Sequence, residues 1–163
     1  MNDAAPAIFV ALEASAFGAS IRQSTWLYPL ANVAHVVVLT VFAGALAIMD
    51  VRLIGGMAAT APARLIGRAR SVAFVALLGM AVTGFMLFAA EASHVVLNAV
   101  FLLKMALIVT GIVNVAIYEF GAKRLVEALP PGAAMPAAAR RAGMLSIGIW
   151  LAVAACGRSI AYF

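Results

Sequence analysis

The chain has 163 residues, of which 66% are hydrophobic and 10% are charged, and its mean hydropathy is +1.12. Soluble domains carry about 25% charged residues, so this composition excludes a soluble domain of any size and indicates an integral membrane protein. The net charge of +5 comes from residues in short segments beside apolar stretches, where cations set topology and contact lipid headgroups, and no nucleic-acid motif accompanies them.

The N-terminal segment, residues 6–24, has apolar residues at spacings typical of a weakly amphipathic helix. Such a helix lies in the plane of the membrane interface and buries its apolar face. We therefore expect an interfacial helix that caps one end of a bundle.

The first apolar stretch, residues 26–49, predicts a membrane span that contains one histidine, His35. About 20 residues rising 1.5 Å each cross a hydrocarbon core. His35 is nine residues after Trp26, where the span begins, so it lies about 13 Å below the interface. Tyr28, Asn32 and His35 follow an i, i+4, i+7 spacing, so they share a helix face that we expect to point inward. An imidazole at this depth needs a hydrogen-bond partner, a metal or a cofactor, and at this point either a neighbouring helix or a haem satisfies that need.

Three further spans are predicted at 71–91, 96–118 and 144–162. Glycines, prolines and arginines predict long loops at 50–70 and 119–143. A tight polar turn connects the second and third spans and contains His94.

The distribution of cations predicts the orientation of the bundle. Eight Lys and Arg residues fall in the two long loops and two fall on the opposite side, which predicts cytoplasmic loops and periplasmic termini in a bacterial inner membrane. The predicted fold is an all-α, integral membrane four-helix bundle forming one domain, 1–163. Asp50 and Arg52, at the cytoplasmic end of the first span, are interpreted as a local ion pair or a helix terminus.

A layer of polar residues is predicted inside the periplasmic half of the bundle. Lys104 lies about 12 Å into the third span, close to the depth of His35. An anionic, planar cofactor matches a neutral nitrogen ligand accompanied by cations, which favours b-type haem. His35 is then an axial ligand, Lys104 a second ligand or propionate partner, and Arg158 a propionate partner. The predicted cofactor-binding set is His35, Lys104, Arg158, Tyr28, Asn32, Asn98 and Trp150.

These patterns predict electron transfer near the periplasmic face, with a periplasmic or membrane redox partner. Two alternatives stay open: a non-enzymatic accessory subunit of a larger membrane complex, and a transport protein for copper or another small solute. His35 and His94 are the two histidines available to a metal, and Glu91 with His94 is a candidate surface metal site. The small residues from Gly79 to Gly84 offer a face for a homodimer.

Four stretches also carry a resemblance: WLYPLANVAH, MDVRLIG, NAVFLLKMALIVTGIVN and GRSIAYF. Along nearly the whole chain they resemble an uncharacterised bacterial family of small four-span inner-membrane proteins. More distantly, FLLKMALIVTGIVN resembles the lysine helix of copper-resistance D-type membrane proteins and of the bacterial J-type protoporphyrinogen oxidase, which is a haem-associated protein. This resemblance implies that His35 and Lys104 correspond to the histidine and the lysine on which the oxidase depends. It adds to the expectation of haem, and the oxidase activity is not carried over.

Overall fold

The computed structural model describes residues 5–162, and over that range the chain is helical with no strand. The helices are α1 (Ala7–Ala14), α2 (Ala16–Gln23), α3 (Leu27–Leu53), α4 (Pro62–Ala90), α5 (Ala92–Val95), α6 (Ala99–Gly121), α7 (Lys123–Glu127) and α8 (Ala137–Ser159), followed by a 3-10 turn, Ile160–Tyr162. Within the described range, α3, α4, α6 and α8 are long and apolar enough to cross a membrane. The protein is therefore a multi-pass membrane protein, as its composition predicts.

The predicted N-terminal helix is interrupted at Ser15, so it forms α1 and α2 instead of one element. The Ser15 hydroxyl donates to the Leu12 carbonyl at 2.6 Å and accepts from the Gly18 N–H at 3.1 Å, so it ends one helix and caps the next. The pair packs on α4 and α5. The Glu13 carboxylate holds the pair on α5 by accepting from the Ser93 N–H at 2.9 Å. It also joins α1 to α2 by accepting from Arg22 at 3.0 Å.

The two long loops are shorter than predicted because helices extend into them. α4 begins at Pro62 instead of residue 71, and α8 begins at Ala137, after Pro136, instead of residue 144. Proline fits the first turn of a helix because the N–H it lacks has no intrahelical partner there, so these prolines start helices where a loop was expected. α3 also continues to Leu53, four residues beyond the predicted boundary at 49.

The four long helices do not all pack on one another to the same extent. α3 packs extensively on α4 and also on α8, and α6 packs on α8. α4 and α6 meet at both ends of the bundle, through Phe88 and Phe101 with ring centroids 5.4 Å apart, and through Arg70 and Glu119 at 2.6 Å. We call the first end the α5 end and the second the α7 end, after the short helix at each.

The buried core is largest toward the α7 end, where α3 contributes its bulkiest buried side chains and α4 contributes alanines. Small residues let two helices approach closely, which favours association within lipid. Gly79 and Gly84 belong to this contact, because a Cβ on either would lie 3.2 Å from Val38 or His35 of α3. The face predicted to hold a second copy is thus occupied within the subunit, while the apolar residues that remain exposed on all four helices face the lipid.

Candidate functional site

His35 is half-buried on α3, and its ring faces α4. The His35 Nδ1 atom lies 2.8 Å from the Thr83 Oγ1 atom. The ring fits there because Gly84 has no side chain, and a Cβ at that position would lie 3.2 Å from His35 Cε1. Sequence analysis left two partners open for His35, a neighbouring helix or a cofactor. Both are compatible with this geometry, because Nδ1 has a partner on α4 and no partner is found for Nε2 within residues 5–162.

The hydrogen bonds of Thr83 favour one tautomer of His35. The Thr83 hydroxyl has one hydrogen, and the Gly79 carbonyl lies 2.8 Å from its oxygen as an acceptor. With the hydrogen on that carbonyl, the Thr83 oxygen accepts from His35, so we assign the proton of the neutral imidazole to Nδ1, from this network. The Nε2 atom consequently keeps a lone pair. Metal-binding histidines are commonly held in this way, with one nitrogen donating to a protein oxygen and the other on the metal.

Lys104 is half-buried on α6. Its side chain runs beside Gly157 of α8, where a Cβ would be 3.5 Å from Lys104 Nζ. Within residues 5–162 the ammonium has no ion-pair partner. We define the His35 layer as His35, Thr83, Gly84, Lys104 and Gly157.

Two residues predicted to share the inward face of α3 with His35 have different surroundings. Asn32 is exposed, so its predicted inward position is wrong. α3 packs mainly on one side, against α4, and the i+4 position falls outside that contact. Tyr28 is half-buried and lies near Glu91, at the α5 end.

Asn98 is used to cap α6. Its side-chain oxygen accepts from the N–H groups of Val100 at 2.9 Å and Phe101 at 3.2 Å, and its amide donates to the Ile160 carbonyl at 3.3 Å. This arrangement satisfies both halves of the side chain and ties the end of α8 to the start of α6.

Arg158 and Trp150 lie at different levels of α8. Arg158 is exposed, donates to the Tyr162 hydroxyl and stacks on that ring 4.7 Å from its centroid. Trp150 packs edge-on against Phe42 with centroids 4.6 Å apart and lies over Gly111, where a Cβ would be 3.0 Å from the indole. Arg158 is thus bound to the terminal turn and Trp150 to the core. His35 faces Thr83 of α4 and Lys104 lies beside Gly157 of α8, so a shared site for His35 and Lys104 stays a prediction.

His94 is exposed on α5. In the described part of the chain, no three His, Cys, Asp or Glu side chains are grouped closely enough to hold a metal ion. Within residues 5–162 no third donor of these types joins Glu91 and His94, and the surface metal site expected there stays a prediction.

The burial of the polar groups at the α7 end was not predicted from the sequence. Asp50 and Arg52 lie in the last turn of α3, which confirms their interpretation as a helix terminus. They are 1% and 0% exposed, and no ion pair joins them, so the alternative interpretation as an ion pair is wrong. Arg52 instead donates to the Thr60 carbonyl at 3.2 Å. Side chains two apart on a helix point in different directions, which is the signal that argued against a pair.

A family model described as "Family of unknown function (DUF6644)" matches residues 9–163, which is nearly the whole chain. This finding confirms the expected resemblance to an uncharacterised family. No curated protein and no solved structure matches the chain.

Proposed function

Because the chain belongs to the Family of unknown function (DUF6644), membership leaves its chemistry open, and we propose from its own residues that it is a membrane-embedded b-type haem protein that carries electrons. His35 is the proposed axial ligand. The observation that carries the proposal is the bond from His35 Nδ1 to Thr83, which leaves Nε2 free to bind iron.

The donor chemistry of the His35 layer fits a haem. The layer offers a neutral imidazole with a lone pair assigned to Nε2, an amine from α6 and no carboxylate. A haem also carries two propionates, and Lys104 and Arg158, which lie on two helices that pack on each other, are the cations proposed to neutralise them. When bound, the haem supplies an iron that changes between ferrous and ferric states.

The residues of the chain have separate roles in this proposal. His35 binds the iron, and Thr83 fixes the orientation and the protonated nitrogen of the His35 ring. Lys104 is either the second ligand or a propionate partner. The resemblance of the α6 sequence to the lysine helix of a haem-associated oxidase supports the same pair of residues.

Orientation and location belong to the same proposal. The excess of Lys and Arg in the connections at the α7 end favours a cytoplasmic α7 end and a periplasmic α5 end in a bacterial inner membrane. The His35 layer then lies in the periplasmic half of the bundle, within reach of a periplasmic or membrane redox partner.

A haem titration tests the ligand assignment. Protein purified in mild detergent and stripped of haem is titrated with haemin, and the Soret band gives affinity and stoichiometry. We expect one haem per chain for the wild type, no specific complex for His35→Ala, and wild-type affinity for His94→Ala. The last variant is a matched control because it removes the other histidine of the chain, which is exposed.

A Lys104→Leu variant separates the two roles of Lys104, because leucine has no atom that binds iron. Loss of a second ligand changes the spin state and the spectrum, whereas loss of a propionate partner weakens binding and leaves the spectrum unchanged. Equal haem binding by wild type and His35→Ala, or no saturable binding by wild type, would contradict the proposal.

A further inference from the structure

A small cavity lies at the α7 end of the bundle, on the side away from the His35 layer. Its volume is about 30 Å³, and α3, α4, α6 and α8 all contribute to its lining. A buried water needs at least about 10–15 Å³ of such space, so this cavity has room for about one water molecule. The polar residues that line it are Asp50, Arg70, Asn114, Tyr118, Glu119 and Ser146.

Three of these residues are buried without a hydrogen-bond partner. Asp50, Ser146 and Tyr118 are 1%, 3% and 5% exposed, and within residues 5–162 no partner is found for either carboxyl oxygen or for the two hydroxyls. An unsatisfied buried polar group costs about 1–3 kcal/mol, and a charged one costs more. Native proteins rarely keep such a cluster unless a small ligand serves it, and ordered water is the usual one.

Of the cations near this cavity, two are paired with Glu119, whereas the buried Arg52 has Nε and Nη1 atoms without a hydrogen-bond partner within residues 5–162. Glu119 accepts from Arg70 and from Lys123, each at 2.6 Å, so its two oxygens are both used. Arg52, two residues from Asp50, donates to the Thr60 carbonyl and makes no ion pair. In the described part of the chain, the Asp50 carboxyl therefore has no cation within ion-pair distance.

A buried carboxyl group with no cation beside it is more stable in its neutral, protonated form than as a carboxylate. An isolated ionised carboxylate in an apolar interior is far costlier than the neutral acid, which has one O–H donor as well as acceptor oxygens. That donor and those acceptors match one water molecule and the two neighbouring hydroxyls. Asn114 belongs to the same cluster, and its amide is held by donating to the Ala142 carbonyl at 3.0 Å.

We propose that Asp50 is a proton-binding site, which takes up and releases one proton through a water molecule held against the hydroxyls of Tyr118 and Ser146. On uptake, an O–H bond forms at one Asp50 oxygen and a hydronium or water outside the cavity gives up the proton; release is the reverse, and no electron moves. The route to solvent passes Glu119, which lines the cavity and has a side chain 25% exposed.

The charged and titratable groups around Asp50 come from each neighbouring helix. α4 contributes Arg70, and α6 contributes Tyr118 and Glu119, the latter bound to Lys123 of α7. The part of α8 that lines the cavity contributes Ser146 and Ala142, which carry no charge. This site does not depend on the haem proposal, since none of its residues belongs to the His35 layer.

Isotope-edited infrared spectroscopy tests the proposal directly. The chain has two aspartates, Asp3 and Asp50, so protein made with side-chain ¹³C-aspartate in an Asp3→Asn background carries one labelled carboxyl group. At neutral pH we expect a ¹³C-shifted C=O band of a protonated acid, which moves on exchange into D₂O and converts to a carboxylate band as the pH rises. Ser146→Ala should shift the pH midpoint of that conversion, and Glu127→Gln, which changes an exposed acid at the same end, should not.

Three results would contradict the proposal. A labelled Asp50 that gives a carboxylate band at neutral pH overturns the proposal, and so does a protonated band whose midpoint is the same in the wild type and in Ser146→Ala. Stabilisation by Na⁺ at constant pH, seen with the aspartate as carboxylate and lost in Asp50→Asn, would assign the cavity to a metal cation instead.

Discussion

The His35 layer and the Asp50 cavity differ in how their polar groups are satisfied. At the α5 end, the His35 ring makes one hydrogen bond, to Thr83, and keeps one nitrogen free in a half-buried position. At the α7 end, Asp50, Tyr118 and Ser146 are buried around a volume of about 30 Å³, and no partner is found for their polar atoms within residues 5–162.

This difference shows that two polar regions of one bundle need not share a purpose. A half-buried imidazole that donates through one nitrogen is the arrangement common to metal-binding histidines. A cavity for one water suits a ligand no larger than a water or a proton. The comparison therefore predicts that substitutions at one end alter haem binding and that substitutions at the other alter stability and proton uptake.

A large change in stability is expected at Gly143, where α8 packs on α3. A Cβ on Gly143 would lie 3.0 Å from Leu53 Cβ and 3.2 Å from the Asp50 carbonyl, and backbone atoms cannot move aside cheaply. We expect Gly143→Ala to destabilise the protein by about 1–3 kcal/mol, as in other overpacked contacts. The thermal unfolding midpoint in mild detergent measures this change.

Gly148, on the same helix, is the matched control, because a Cβ there meets no atom within 4 Å. Gly148→Ala should leave stability unchanged or raise it, because alanine favours a helix over glycine by up to about 1 kcal/mol. Equal effects of the two substitutions would contradict the close approach of α3 and α8 beside Asp50.

A second substitution, Thr83→Val, acts on the His35 layer alone. It removes the oxygen that accepts from His35 Nδ1 while keeping the shape of the side chain. Loss of such a partner weakens metal binding by about 10–100-fold, so we expect a decrease of that order in haem affinity with little change in unfolding midpoint. Titration with haemin measures it.

Thr110 on α6 provides the control for this prediction. Its hydroxyl also donates to a carbonyl one turn back, that of Ala106, but the residue is exposed. Thr110→Val should bind haem as the wild type does, and Thr83→Ser should restore affinity because it restores the oxygen. An unaltered affinity in Thr83→Val would show that the ring of His35 is not held by this bond for ligation.

The smallest expected effect is a loss of stability at acid pH that comes from Glu13, at the α5 end. The Ser93 hydroxyl, together with the Ser93 N–H and Arg22, holds the pKa of Glu13 below its usual value. Folding therefore favours the ionised form of Glu13. Its contribution to the free energy of unfolding is complete above the unfolded pKa of about 4.3, and it is lost as the pH falls through the lower folded pKa. Because the ion pair is accessible to solvent and salt, we expect it to contribute less than about 1 kcal/mol.

Unfolding midpoints measured across the acid range test this contribution. The wild type should lose more stability than Glu13→Gln below that pH, whereas Glu127→Gln should follow the wild type, because Glu127 makes no ion pair within residues 5–162. Parallel curves for the wild type and Glu13→Gln would contradict the role of Glu13 in holding α1 and α2 on the bundle.

Sequence reasoning predicted the helical class and the four spans well, because long apolar runs in a membrane protein have few alternative structures. It also predicted similar depths for His35 and Lys104 by residue counting along each helix, which stays a prediction. Asn32 could not be placed by spacing alone. Asn32 precedes His35 by three residues and shares its contact face only if that face is wide, and here α3 is covered mainly on one side.

The Asp50 cavity was missed because of the helix boundaries. With the second loop ending at residue 143, Asp50 was expected near a loop and close to water. α8 begins at Ala137 after Pro136, so Ala142 and Gly143 of its first two turns lie beside Asp50, and Ser146 follows in the third turn. Prolines that begin helices were interpreted as breakers, and the burial of Asp50 depends on that distinction.

The most direct test of the haem proposal is the reduced-minus-oxidised visible spectrum of the protein as it is isolated from membranes in mild detergent. We predict a b-type α-band in the wild type, its retention in His94→Ala, and its absence from folded His35→Ala. A wild type that is folded and colourless, and that stays colourless after haem is supplied during expression, would contradict the proposed function.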